Sequence, residues 1–538
     1  MSVKKISAFI SPWEKVFAIK IRLIGLKTRV LFIVLFPVSL FSQNKDTVAL
    51  KYAEYISTES LKKNLSIIAS DEYEGRETGT RGQKLAADYI AGQFRISGIP
   101  PLNKNSYFQE FLLNEKRPGE ITFFIAGREY TANKDFYSFS GDVKHKKLKA
   151  NKVLFLGYGI EDKNYNDYKG ADVKNKTILI MSGEPVNKDT LSLITKDKSK
   201  SSQNDKAKIK TANEKGVKTI LIVKDNIDKE IERNKSRLAQ PNLFLKNEKN
   251  QPSVIYISTQ MANELLLGIT TVDELKNKIA TTAQPHKVKV KNKLKIHATI
   301  EDQLVSAENV LGYIEGADLK NELIVISAHY DHLGIKDNKI YNGADDDGSG
   351  TTALMELAKA FAKAKEQGRG SRRSILFIAF SGEEKGLLGS SYYTEHPEFP
   401  LNKTVCDLNI DMIGRIDEKH GKNANYVYLI GSDKLSSELH SISESVNKTY
   451  TGLELDYTYN DEKDKNRFYY RSDHYNFAKN GVPVIFYFNG VHDDYHQPTD
   501  DVEKINFEKL KKISTLVFLT AWELANREER IKVDSNKK

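Results

Sequence analysis

The chain has 538 residues, 82 Lys+Arg against 72 Asp+Glu, a formal net charge of +10 and one cysteine. A hydrophobic share of 39% and an aromatic share of 10% are enough for a buried core and exclude wholesale disorder. A single cysteine excludes an internal disulfide framework and any Cys-rich metal site.

The charge is uneven. Residues 1–43 hold seven Lys/Arg against Glu14 alone, so +6 lies there and only +4 is left for the rest. That remainder gives no case for nucleic acid as a partner. The basic stretch runs into Val30–Phe41, twelve mostly apolar residues. A bilayer core of about 30 Å needs about 20 residues, so this run is too short to span it. Basic residues, a short apolar run and polar Ser42 and Gln43 read as a signal peptide over 1–43. The expectation is export to the periplasm or beyond, with no stable membrane insertion after cleavage.

Residues 44–150 read as the first part of a catalytic domain. Apolar spacing predicts helices over 57–70 and 81–97, separated by Glu74-Gly75-Arg76-Glu77-Thr78-Gly79-Thr80. Strands follow over 121–125 and 137–139. Residues 151–286 read as a separate α/β unit, with strands over 153–155, 177–181 and 219–223 and a helix over 205–215. Lysine then alternates with mostly apolar residues over 287–296. A period of two puts those lysines on one strand face, which is expected to be solvated.

Residues 287–530 read as the catalytic core, with apolar strands alternating with helices from Asn309, ahead of a polar tail over 531–538. Strands are expected over 323–328, 374–380, 405–411, 426–430 and 482–488. Helices are expected over 351–366, 434–446 and 502–526. The fold class is therefore α/β: a mixed, mainly parallel sheet with helices on both faces. In such sheets functional groups gather beyond the carboxyl ends of the strands.

The chemistry falls there. The first strand runs into His329-Tyr330-Asp331-His332. His329 and Asp331 are two apart and share a face while the chain stays extended. Asn342-Gly343-Ala344-Asp345-Asp346-Asp347-Gly348-Ser349-Gly350 precedes a helix, and three adjacent carboxylates repel unless a cation offsets them. Glu383 and Glu384 follow the buried run ILFIAF, Asp411 closes the next strand, and His496 lies in the loop after the last. Adjacent glutamates point in different directions, so one can bind metal while its neighbour accepts a proton. Oxygen and nitrogen donors without thiolate suit zinc, manganese or cobalt.

In this order, AHYDH, NGADDDGSG, SGEEKGLLGS, NIDMIG and YHQPTDD resemble the M28 family of co-catalytic zinc metallopeptidases over about Asn309–Asn526. The stretch EGRETGTRG resembles the start of that family's catalytic domain. FLGYGIEDKNYNDYKGADVKNKTILIMSGEP and KIKTANEKGVKTILIV are similar to a protease-associated (PA) domain, which some members carry as an insertion.

The resemblance implies a zinc exopeptidase-like fold with a small inserted PA domain and two Zn2+ per chain. It makes His329 and Asp411 ligands of one zinc and Glu384 and His496 ligands of the other. Asp346 bridges the two, followed by a cis peptide. Glu383 becomes the general base and Asp331 the partner that orients His329. Asp347 departs from the family's frequent asparagine. His332, His474 and His492 fall outside the ligand set. Tyr495 and Arg471 are candidate substrate-binding residues.

The implied activity is exopeptidase hydrolysis of peptides, with an aminopeptidase leading. A carboxypeptidase or dipeptidase, a glutaminyl cyclase and a non-catalytic PA-domain binding protein are the alternatives. Cys406 is expected in the core.

Overall fold

A computed structural model describes residues 45–535 except 103–105, 151, 188–190, 195–203 and 247–250. The expected signal peptide and the last three residues of the tail lie outside the described residues.

Nine strands build the larger sheet: β1 (Phe108–Lys116), β2 (Asn242–Leu245), β3 (Asp302–Ile314), β4 (Leu319–His329), β5 (Arg373–Phe380), β6 (Thr404–Ile410), β7 (Tyr426–Ile430), β8 (Glu454–Asp456) and β9 (Val484–Phe488). Their order is β8-β7-β9-β6-β4-β5-β3-β1-β2. The central block β9-β6-β4-β5 is parallel throughout. Pairing turns antiparallel on both sides of it, at β7–β9 and at β5–β3, β3–β1 and β1–β2. The expectation of a mainly parallel sheet thus holds for the block that carries the candidate residues, while the flanks make the whole sheet mixed.

The block is parallel because its strands are apolar on both sides. All of β5 and β6 is buried, and so are the last seven residues of β4. Ile324, Ile326 and Ala328 face a core formed with helices Thr58–Ile68, Arg81–Ile96, Gly350–Glu366 and Phe507–Asn526. Leu323 and Val325 face the opposite core, with Tyr393 and Phe477 from Leu388–Glu395 and His474–Ala478. Cys406 is buried in β6 as a free thiol.

Two helices begin later than the periodicity predicts. Ser436 accepts from Leu439 N, so that helix runs Ser437–Val446. Asn506 accepts from Lys509 N, so the last helix starts at Phe507, after a short 3-10 turn at Val502–Lys504. In both cases a capping side chain sets the start.

A second pair of sheets surrounds the insertion. One has six strands and joins Phe136–Tyr137 and Lys287–Val290 to Val153–Leu156, Thr177–Met181, Thr219–Lys224 and Ser253–Ser258. The other has four strands and holds Ile121–Ile125, Arg128–Thr131, Lys147–Ala150 and Leu294–Ala298. Phe123, Phe155, Leu221, Ile255 and Ile296 share one core. The hydrogen-bonded unit therefore reaches outside 151–286 at both ends, because its outer strands pair across a long separation, as Leu294–Ala298 does with Ile121–Ile125. The lysine-rich stretch is two strands, and Lys289, Lys291, Lys293 and Lys295 are exposed. Among the described residues no helix is long and apolar enough to cross a membrane.

Candidate metal centre

His329 ends β4, Glu383 and Glu384 follow β5, Asp411 follows β6, and His496 lies in the loop after β9. The parallel block thus delivers five donors to one edge of the sheet. Asp346 reaches the same place from the turn that opens helix Gly350–Glu366.

The three adjacent aspartates point three ways. Asp345 accepts from Gly414 N at 2.7 Å and meets His492 Nε2 at 3.2 Å. Asp347 accepts from Gly350 N at 2.8 Å, Met412 N at 3.0 Å and His329 N at 3.2 Å. Of the three, Asp346 faces the His329 and His496 rings, and the peptide after it is cis. Its Oδ1 stands 3.4 Å from His329 Nε2, and its Oδ2 stands 3.0 Å from His496 Nε2. Asp411 Oδ1 is 3.6 Å from His329 Nε2, and Glu384 Oε1 is 3.2 Å from His496 Nε2. Two half-sites therefore share one carboxylate, with His329 and Asp411 on one side and His496 and Glu384 on the other.

His329 Nδ1 lies 3.1 Å from the main-chain oxygen of Asp331, while the Asp331 carboxylate is 3.8 Å away. The nearer partner of the imidazole is the carbonyl, which fixes Nδ1 as the N–H and leaves Nε2 free to ligate. The Asp331 carboxylate instead accepts from Thr78 Oγ1 at 2.8 Å and Glu383 N at 3.1 Å. It holds the backbone of Glu383 in place.

The electrostatics call for a cation. Burial pushes the Glu383 carboxyl well above its ordinary value, against the pull of His329, with Glu384, Asp411 and Asp473 adding to the rise. Burial also works against a charged His496, yet Asp346 and Glu384 raise it to about 10. Glu384 Oε1 is buried and makes no aligned hydrogen bond among the described residues. Buried polar atoms left in this way are costly unless something else satisfies them. Carboxylate and imidazole donors with these separations fit a pair of zinc-class divalent ions.

Two residues escape a reading of the sequence. Arg76 is fully buried, and its guanidinium donates to Tyr330 O at 2.7 Å, Ile68 O at 2.8 Å, Asn342 O at 2.6 Å and Gly343 O at 2.9 Å. It ties the first helices to the end of β4 and to the aspartate turn. Nothing in a single arginine between glycine and glutamate signals this. His332 was expected outside the ligand set, but its Nδ1 is 3.0 Å from Glu384 Oε1. His474 stays behind the site, stacked on Phe486, and burial lowers it to about 3.

A small cleft opens beside the centre, lined by Met412, Phe468, Phe486 and Phe488 as well as donors of the candidate centre. Arg471 and Tyr495 also line it, and Arg471 Nη2 donates to Tyr495 OH at 3.1 Å. Met412 and His496, both beside the donors, take left-handed φ of 59° and 57°. Such backbone costs about 1–3 kcal/mol per residue and gathers at functional sites.

Residues 309–521 match the model of Peptidase family M28. Aminopeptidase YwaD of Bacillus subtilis (strain 168) is 28% identical over 235 residues, covering 42% of this chain and 47% of that protein. A probable leucine aminopeptidase of Arthroderma otae is 29% identical over 210 residues, covering 38% and 54%. The chain thus spans about half the length of these curated relatives. In fold it resembles the solved aminopeptidase from Aneurinibacillus sp. strain AM-1, with a TM-score of 0.54 and 19% identity over 90% of this chain and 98% of that one.

Proposed function

We propose that this chain, whose residues 309–521 are a peptidase family M28 segment, is an exported dizinc aminopeptidase that removes N-terminal residues from peptides. The observation that carries the reading is the shared carboxylate: Asp346 presents one oxygen to His329 and the other to His496. A zinc pair bound there would polarise the scissile carbonyl and lower the pKa of the attacking water.

The chain's own residues supply the rest. Glu383 takes the proton of the water and returns it to the leaving nitrogen. Asp331 and Thr78 steady Glu383 through its backbone N–H. The carboxylates around the cleft attract the free α-ammonium of a peptide. The wall of Met412, Phe468, Phe486 and Phe488 supports an apolar first side chain. Arg471 and Tyr495, joined at the same cleft, are the candidate contacts to the substrate backbone. Of the arginines that could hold the C-terminal carboxylate of a carboxypeptidase substrate (Arg415, Arg467 and Arg471), Arg415 is already paired with Asp494 at 2.7 Å, while Arg471 lines the cleft. The sheets around 151–286 support a PA-like insertion, and residues 1–43 support export.

The test combines metal content per chain with hydrolysis of leucine p-nitroanilide and its N-acetylated form. Two zinc ions, activity lost on chelation and no cleavage of the blocked substrate are expected. No bound metal overturns the reading, and equal cleavage of both substrates overturns the aminopeptidase assignment.

A further inference from the structure

His332 is fully buried, and both its ring nitrogens lack a hydrogen-bond partner among the described residues. Its Nδ1 lies 3.0 Å from Glu384 Oε1 and 3.8 Å from Asp346 Oδ2. His496 Nε2 lies 3.2 Å and 3.0 Å from the same two oxygens. Glu384 Oε1 makes an aligned hydrogen bond with neither ring. A tetrahedral zinc with bonds of about 2.0–2.1 Å holds its ligand atoms about 3.3 Å apart. The four separations scatter around that value.

The ring is also fixed. Gly343 has a φ of +56°, and a Cβ there would come within 2.5 Å of the His332 ring. The missing side chain makes room for the imidazole. His332 N donates to Arg76 O at 3.2 Å, which anchors the backbone.

We propose that His332 is a further ligand of the metal beside Glu384, so that this position is closed by His332, His496, Glu384 and Asp346. The inference rests on the dizinc reading above. It makes the two positions unequal: the other has His329, Asp411 and Asp346, with Glu383 at its edge, 3.9 Å from His329 Nε2. A closed set of four protein donors suits retention, and an open position suits exchange with substrate. The Glu384-side zinc is thus the slowly exchanging one, and the His329-side zinc keeps a place for the reacting groups.

The test is the structure of the zinc-loaded full chain with anomalous scattering at the zinc edge. His332 Nδ1 is expected about 2.1 Å from the zinc beside Glu384. A zinc bound by Glu384 and His496 with His332 about 3 Å away or farther overturns the inference and leaves the dizinc reading standing. Absence of zinc at both positions overturns both. In dialysis against a chelator, the wild type is expected to pause at one zinc per chain. His332→Ala is expected to lose that pause, with affinity down by about 100-fold or more. An unchanged pause in a variant whose circular dichroism matches wild type counts against the proposal. If the variant fails to fold, the zinc-loaded structure of the wild type still decides.

Discussion

Lys208, buried in the inserted unit, finds partners in the backbone around it, whereas Glu384 Oε1 and His332, at the candidate metal centre, do not. Asp167 nearby is intermediate: its Oδ2 accepts from Tyr158 N and Ile160 N, both at 3.0 Å, while its buried Oδ1 makes no aligned hydrogen bond among the described residues. Lys208 Nζ donates to Met181 O at 2.8 Å and Gly183 O at 2.5 Å. At the centre, Glu384 Oε1 and both His332 nitrogens stand close to other polar atoms without aligned bonds. Buried charge alone therefore says little about function. What separates Lys208 from the candidate centre is that the chain itself supplies its partners.

Metal removal should break this contrast most visibly. Chelation is expected to abolish turnover and lower the unfolding temperature of the metal-bearing domain, leaving the transition of the inserted unit in place. A ligand at about 1,000 times its Kd stabilises by about 4 kcal/mol, so the shift is readable by calorimetry. Equal shifts in both regions would remove the distinction.

Next comes Glu383→Gln. Turnover should fall by about 10²–10⁴-fold while metal content is unchanged. Full turnover by this variant would take Glu383 out of the reaction.

Arg76→Met should leave the Ile68, Tyr330 and Asn342 oxygens unpaired, with Gly343 O keeping Gly348 N, and cost about 3–5 kcal/mol in chemical denaturation. The loss is expected in the metal-bearing domain, since every acceptor belongs to it.

Lys208→Met is the smallest and sharpens the other side. It should cost about 1–3 kcal/mol in the inserted unit without altering metal content or turnover. Burial pulls the Lys208 ammonium down to about 8 from 10.5, against Asp205 and Asp167. Between these values the unfolded chain binds more protons than the folded one, so wild-type stability gains a contribution as pH rises through that window. Denaturation at pH 8 and pH 10 should show a smaller gain for the variant.

The parallel block was legible because each buried run is a strand; His329, Glu383, Glu384 and Asp411 stand at or just past strand ends, while Asp346 lies in the turn before helix Gly350–Glu366 and His496 in the loop after β9. In the fold Asp346, Glu383 and Asp411 come within 4 Å of His329, and Asp346 and Glu384 within 4 Å of His496. The three aspartates could not be separated by local pattern alone, since their directions depend on the turn around them. The proximity of His332 to Glu384 arises where strand periodicity has ended, so no alternation pattern encodes it. Arg76 was lost because its acceptors are carbonyls far along the chain, which no side-chain pattern encodes. The width of the inserted unit was lost for the same reason: Ile121–Ile125 and Leu294–Ala298 meet only in the folded chain.

Strand β2 has a consequence of its own. It lies within the insertion, between Thr219–Lys224 and Ser253–Ser258, yet it pairs with β1 as the outermost strand of the nine-stranded sheet, Leu113 opposite Leu245 through Lys116 opposite Asn242. An insertion that covers a sheet edge also guards it. Cutting out the segment and rejoining the chain would bare the N–H and C=O groups of β1, beside exposed Leu112 and Leu304. Such an edge invites pairing between molecules. A trimmed chain would thus face self-association before any question of its catalysis arose.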